Sequence, residues 1–405
     1  MRPGRSELPT NDKRAAILDH TRQLKMARSA HAYVRGSTRQ FYAWLRSASS
    51  AEVPDGPSVW ICGDCHVGNL GPLVDADGEV EVQIRDVDQT VIGNPAHDLI
   101  RLALSLTMAS RSSDLPGVTS VRMLEEAMAG YEEALAYGDS GVRRLPAPDA
   151  VRVAMRKAGG RRWRHLADER IEGSSPTIPL GKRFWALESD ERTALQALFK
   201  EDKVHALITS MEKRDAGDKV ELIDAAYWMK GCSSLGRVRY AAIVGVGEGR
   251  KRKLALIDLK AAVEAAAPAA ESADMPRDNA KRVVEGARHL SPNLGDRMLA
   301  VQLNGEPVVL RELAPQDLKL EVESLTCEDA KTAARYLAAV VGLAHGRQMT
   351  LADRTAWLKA LKRRRSKTLD APSWLWTSVV ELVGQHESAY LEHCRKYALA
   401  EDKAS

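Results

Sequence analysis

What most constrains the fold of this chain is a switch in hydrophobic period, from helical spacing at both ends to strand-like alternation in a few stretches between. Apolar residues recur at three- and four-residue spacing from about Lys13 to Arg46, with no interior proline, which predicts helix. After a break at Ala51–Pro57, Ser58–Cys62 (SVWIC) reads as a short buried strand and Gly63–Asn69 (GDCHVGN) as a loop. Leu73–Val74 and Val80–Ile84 flank Asp77-Gly78, and the alternation Val80, Val82, Ile84 predicts a hairpin. Helical spacing returns over His97–Ser110, Ser120–Ala136 and Asp190–Lys213. Near Tyr227 the texture becomes β. Val238–Gly245 and Lys253–Leu259 predict paired strands, Asp278–Leu290 a helix, and Met298–Leu303 with Pro307–Leu313 a hairpin about Asn304-Gly305. From Cys327 the chain is helical again, broken near Thr350 and Pro372. The pattern predicts a helix-rich α+β protein in four parts. These are an N-terminal helical segment (1–57), a helical lobe carrying the loop and hairpin (58–219), a β-rich lobe (220–318) and C-terminal helices (319–405).

Charge narrows the partners. Lys and Arg number 59 against 55 Asp and Glu, and a net +4 over 405 residues leaves no nucleic-acid footprint. The basic clusters Arg156–Arg164 and Lys359–Lys367 therefore read as solvated helix faces, despite Trp163 and Trp357. Apolar runs such as Tyr336–Ala344 are far too short to span a bilayer. The polar start MRPGRSELPTNDKR shows no apolar signal region, and five cysteines form no disulfide pattern, so a reducing, cytoplasmic setting is the expectation.

The chemistry-bearing residues gather around the first hairpin. A loop after a buried strand supplies Asp64, His66 and Asn69, and the hairpin returns the chain to Asp86 and Asp88 beside it. Phosphoryl transfer needs an acid near the nucleophile and oxygen ligands for magnesium, and these residues supply both. A second set lies in the β-rich block. Gly231, Ser233, Ser234 and Gly236 belong to GCSSLGRV, which fits G-x-G-x-x-G-x-V with Ser233 at the middle glycine, a turn that brings backbone N–H groups close to phosphates. Lys260 follows on the third strand, and Glu285 on the next predicted helix is placed to pair with it.

GDxHxxN, a hairpin and then Asp at a strand end resemble the catalytic core of aminoglycoside-phosphotransferase-like and choline-kinase-like enzymes. The resemblance implies a protein-kinase-like two-lobe fold, with Asp64 as catalytic base, His66 buttressing its loop, and Asn69 and Asp86 as magnesium ligands. Asp88 would share the metal or hold the loop, Lys260 would grip ATP phosphates, and Asp98 in NPAHDLIRLALS would brace the catalytic loop. The backbone near Arg311–Leu313 would face the adenine. Cys62 stands where these kinases usually carry His. The phosphate-gripping lobe follows the catalytic loop instead of preceding it, so the order is circularly permuted. The helix ending LAAVVGLAHGRQ then takes the place of the one that normally runs into the loop. Over roughly residues 20–350 the pieces KMARSAHAYVRG, GDCHVGN, IRDVDQT, HDLIRLALS, GCSSLGRVRY, VVLRELAPQDLK and GLAHGR resemble the bacterial domain-of-unknown-function 2252 family, which is grouped with kinase-like folds. The implied cofactors are ATP and Mg²⁺, with a nucleotide and an unidentified acceptor as partners.

Other readings compete. Cys62-Gly-Asp-Cys65-His66 spells the C-x-x-C-H haem-attachment pattern, and C-x-x-C alone suggests a redox site, although no export signal or compact βαβ setting accompanies it. His97-Asp98 suggests a metal phosphohydrolase but is explained more simply by an Asp at a helix start. Asp75-Ala-Asp77-Gly78 opens like a calcium loop but lacks the later Glu. A nucleotide-binding pseudokinase with a regulatory role is the main alternative to a phosphotransferase.

Overall fold

The computed structural model describes residues 11–47, 53–75, 77–113, 115–138, 140, 142, 145–171, 176–211, 214–231, 235–249, 252–271, 273–318, 326–362 and 371–397. Three helices open the chain: α1 (Asn11–Ala27), α2 (Ala30–Gly36) and α3 (Thr38–Leu45). The single helical stretch expected over Lys13–Arg46 is divided because Ser29 caps a new start, its Oγ accepting from Ala32 N at 3.0 Å. The second division falls at Ser37, whose hydroxyl donates back to the Val34 carbonyl at 3.0 Å.

Strand β1 (Val59–Ile61) leads into the loop, which closes in one helical turn at Val67–Asn69. The hairpin β2 (Leu70–Val74) and β3 (Val80–Ile84) follows, and β4 (Val91–Gly93) returns to pair with β1. Asp75 Oδ1 accepts from Asp77 N and Glu79 N at 2.9 and 2.8 Å, so this segment is the hairpin's turn. Next come α4 (Ala96–Ser112), α5 (Gly117–Tyr137), α6 (Asp149–Gly159), α7 (Trp163–Ile171) and the short β5 (Phe184–Trp185). The helix expected over Asp190–Lys213 is two within the described residues, α8 (Ser189–Leu198) and α9 (Asp202–Thr209). A reciprocal capping box between Glu188 and Glu191 starts α8.

The β-rich part runs β6 (Val220–Trp228), β7 (Arg239–Val246), β8 (Lys253–Ala261), α10 (Asn279–Leu290), α11 (Pro292–Gly295), β9 (Met298–Leu303) and β10 (Glu306–Leu313). Its strands form one antiparallel sheet in the order β5-β6-β7-β8-β10-β9. The start of β6 is hidden in the sequence because a register shift between Leu222 and Asp224 breaks its alternation. Both faces of β7 are covered. Tyr240, Ala242 and Val244 share a core with Leu195, Leu198 and Val204 of α8 and α9, while Ala241 and Ile243 share another with Leu166 and Ala167 of α7. Alternation of side chains along the strand sends successive residues to the two cores.

The largest core lies among the helices, where α12 (Cys327–Gly346) packs along α5. Glycines set their spacing: a Cβ added at Gly130 would lie 2.0 Å from the Arg335 carbonyl oxygen, and one at Gly342 2.7 Å from that of Tyr131. Two further helices follow among the described residues, α13 (Leu351–Leu361) and α14 (Ser373–Tyr397). The last helix is tied to the first: Tyr390 Oη donates to Ala27 O at 3.1 Å, and His393 Nε2 bonds Gln23 O at 2.8 Å. Among the described residues no helix is long and apolar enough to cross a membrane.

The close approach of α5 and α12 yields a stability test. Gly130→Ala forces backbone apart and is expected to lower the unfolding free energy by about 1–3 kcal/mol, read as a lower urea midpoint. Gly117→Ala, whose added methyl meets nothing within 4 Å, is expected to stay within about 0.5 kcal/mol of the parent.

Candidate functional site

The loop between β1 and β2 is held from behind by Asp98 in the first turn of α4. Its carboxylate is fully buried and accepts from Cys62 N at 2.7 Å and Gly63 N at 3.0 Å. Gly63 takes φ +74, and a Cβ there would lie 2.1 Å from the Gln89 carbonyl oxygen, so only glycine allows the loop to pass so close to the Asp86–Thr90 segment. Its own carbonyl accepts from Tyr42 Oη at 2.6 Å. These contacts turn the loop so that Asp64 points forward.

One oxygen of Asp64 is fixed. Arg101, one helical turn beyond Asp98 and 0% exposed, donates from Nε to Asp64 Oδ1 at 2.9 Å and from Nη2 to Val34 O at 2.6 Å. Burial raises the Asp64 carboxyl above its ordinary range, and Arg101 opposes that rise. Asn69 donates from Nδ2 to Asp64 O at 2.9 Å, which leaves its amide oxygen as the end able to meet a cation. His66 is buried within the loop, its carbonyl accepting from Asn69 N at 2.8 Å.

Across the hairpin, Asp86 and Asp88 face Lys260 near the end of β8. Lys260 Nζ lies 3.7 Å from Asp86 and makes a closer ion pair with Asp88. The two carboxyls are driven apart. The recessed position of Asp86 would raise its pKa, but Lys260, Arg311 and Arg239 outweigh this and hold it well below the usual carboxylate range, although its side chain is still half exposed. Burial and the Asp86 charge push Asp88 up instead, with Lys260 opposing. Asp64, Asn69, Asp86 and Asp88 all line one cleft of about 630 Å³. Its opposite wall is α1–α3 with Leu235, Gly236 and Arg237. Gly231 and Gly236 adopt φ +106 and +96, and Lys25 Nζ donates to Gly231 O at 3.1 Å. Ser233 and Ser234 lie outside the described residues.

Two expected placements are not what the structure forms. Glu285 does not reach Lys260; it bonds within its own helix to Arg288 at 3.8 Å and His289 at 3.4 Å. The reason is the crossing of α10 at Gly286, where a Cβ would lie 2.4 Å from Thr90 Cγ2. That crossing turns Arg282 inward, to the carbonyls of Thr90, Val263 (2.8 Å) and Asp88 (3.3 Å), and leaves Glu285 at the rim. The Arg311–Leu313 backbone is likewise no open edge. Arg311 pairs with both Asp258 and Met298 in the sheet, and Glu312 N donates to Arg297 O at 3.3 Å. The Arg311 side chain turns instead toward Asp258 and the Arg85 carbonyl, at 3.4 and 3.3 Å.

Sequence reasoning missed Arg101, Arg239, Asp258 and Arg282. Arg101 and Asp258 had local signals: an arginine inside the apolar run HDLIRLALS, and an aspartate two residues before Lys260 on the same strand face. Choosing Arg282 over Glu285 required the phase of a helix, which the sequence leaves open. Cys62 and Cys65 are both fully buried thiols, with Cys62 Sγ 3.4 Å from the Asp86 carbonyl, so they serve as packing inside the loop.

The fold and cleft define an α+β protein whose acidic loop faces a lysine-bearing sheet. Over residues 14–396 the chain matches the family described as uncharacterized protein conserved in bacteria (DUF2252), and it belongs to that family. No curated protein and no solved structure matches it.

His386 on α14 offers a pH test of this back wall. Burial, and then the Arg101 charge, push its imidazole down to about 4, while its Nδ1 donates to Leu382 O at 2.9 Å. Unfolded, it takes up a proton near pH 6.5; folded, it stays neutral to about 4. The unfolded state therefore binds more protons in that window, and stability falls as pH drops through it, by about 3 kcal/mol in total. Urea unfolding at several pH values between 7.5 and 4.5 is expected to show this slope in the parent chain. His386→Asn should lose that part of it.

Proposed function

We propose that this protein is a magnesium- and ATP-dependent phosphotransferase with a kinase-like site in circularly permuted order. The observation that carries the reading is the convergence of Asp64, Asn69, Asp86 and Asp88 on one cleft, with Lys260 ion-paired to the last two. These residues come from a loop, a hairpin and a sheet lobe separated by more than 150 positions. The permuted order is supported at its junction. Gln348, two residues past α12, bonds both Trp60 N and Trp60 O of β1, at 2.8 and 3.0 Å. Helix α12 thus ends beside the strand that feeds the loop, although nearly 290 residues separate them in the chain.

The donor set fits magnesium. Mg²⁺ is commonly held by one or two carboxylates plus substrate phosphates rather than by an all-protein cage. Among the described residues no group of three or more His, Cys, Asp and Glu side chains is placed to hold a metal. Asp86, kept ionised, would hold the ion with the amide oxygen of Asn69, and Asp88 would complete the set. Bound there, Mg²⁺ supplies charge neutralisation of the phosphates. The chain's own groups do the rest. With Oδ1 held by Arg101, Asp64 has Oδ2 to accept the proton of an acceptor hydroxyl, and burial makes it a better base than an exposed carboxylate. As the acceptor's hydroxyl oxygen bonds the γ-phosphorus, the bond from that phosphorus to the nucleoside diphosphate leaving group breaks. Lys260 leaves its carboxylate partners to neutralise phosphate charge, in exchange for the metal.

The test is ligand-induced stabilisation. Mg·ATP at one hundred times its Kd is expected to add about 2.7 kcal/mol to the unfolding free energy, seen as a higher unfolding midpoint. The gain should disappear in Asp86→Ala and Lys260→Ala. A parent chain whose midpoint ignores Mg·ATP would rule the reading out.

A further inference from the structure

Space around the acidic pair is divided unevenly, and the division indicates where the base of a nucleotide sits, granted the phosphotransferase reading above. Asp86 and Asp88 line two cavities at once. The inner one is lined by Lys260 and its neighbours on β8 and β10 and by the Arg85–Asp88 segment, and offers only about 20 Å³. It is occupied by charge. Asp258 shares the strand face of Lys260 and is 1% exposed, gripped by Arg239 at 2.7 and 2.5 Å and approached by Arg311 at 3.4 Å. In the V-A-I-K pattern of kinases an alanine holds the place two residues before the lysine; here the place is an aspartate. Inserting a base would separate a buried, bidentate ion pair and strand its charges, which costs more than apolar contact returns.

The outer cavity has the room. Its volume of about 630 Å³ is that of a small-molecule site. Asp64, Asp86 and Asp88 form its floor, and Leu235 to Arg237 with Ala15, Gln23 and Met26 of α1 belong to the wall that faces it. Lys25 fastens α1 to Gly231, where the glycine-bearing turn begins. Arg237 bears electrostatically on Asp88, so the turn brings a second cation to where phosphates would lie.

We propose that the nucleoside end of the bound nucleotide lies in this outer cavity against α1, with its phosphates turned inward to Lys260, Asp86 and Asp88. The N-terminal helices are then part of the nucleotide site, and α1 is what distinguishes a nucleotide from a bare polyphosphate.

Ala15→Trp and Gln23→Trp, each on the cavity face of α1, fill the outer space without touching the acidic floor. Calorimetric titration of the full-length chain with Mg·ATP and with Mg·tripolyphosphate separates base from phosphates. In either variant that keeps the parent unfolding midpoint, the Kd for Mg·ATP should rise about tenfold or more while that for Mg·tripolyphosphate stays within about twofold. An unchanged Mg·ATP affinity in both variants would overturn the placement. So would equal losses for the two ligands, which would mean that the indole closes the path to the phosphates. A parent chain without affinity for Mg·ATP contradicts the underlying reading, and is seen before any variant is compared.

Discussion

Asp98 accepts hydrogen bonds from two distant parts of the chain at once: the two backbone amides after β1 and, through Oδ2 at 3.1 Å, the Nε2 of His345 at the end of α12. None of these groups is exposed to water, so each donor would otherwise be a buried polar group without compensation. The chain of bonds continues. Trp357 Nε1 donates to Tyr131 Oη at 3.2 Å, and Tyr131 Oη meets His345 Nδ1 at 2.9 Å, an order that fits the His345 tautomer protonated on Nε2. A single carboxylate thereby fixes the loop that presents Asp64, the helix that presents Arg101, and the helix pair on which the lobe is built. The rest of the cleft depends on that fixed point, because Asp64 is aimed by its backbone before any side chain acts.

The cleft itself is a balance of charges. Lys260, Arg239 and Arg311 bear on Asp86, Arg101 holds Asp64, and Arg282 reaches the carbonyl of Asp88. Like charges close together cannot all ionise equally, and here Asp86 is held low while Asp88 is pushed up. Such a set is poised for exchange. A dication entering between the carboxylates would replace what Lys260 now neutralises, and would release the lysine toward anionic ligands. The same electrostatics make the Arg239–Asp258 pair a fixed structural element, since both partners are buried and bonded twice.

Much of this was legible in the sequence, and for identifiable reasons. The Asp77-Gly78 and Asn304-Gly305 hairpins announce themselves because a tight turn demands those residues between alternating segments. The stretch GDCHVGN and the following RDVD could be placed together because a hairpin must return the chain to its start. What stayed hidden depends on long-range geometry. The Ser29 and Ser37 breaks are local caps inside an otherwise continuous helical pattern, and the bulge in β6 erased its period. The partner of Lys260 was misassigned because the crossing at Gly286 turns Arg282 inward and leaves Glu285 at the rim, while Asp86 and Asp88 from across the hairpin pair with the lysine. The N-terminal helices entered the sequence reading only through the resemblance of KMARSAHAYVRG, with no role derived for them, yet they wall the cleft.

The central claim is that the acidic floor of the cleft takes a divalent cation together with a nucleotide's phosphates. Its most direct test is anomalous diffraction from crystals grown with Mn²⁺ and a non-hydrolysable ATP analogue. The account predicts a manganese peak between Asp86 and Asn69, with phosphate density running from it toward Lys260. A peak elsewhere on the molecule, or nucleotide density with no metal at Asp86, would contradict it.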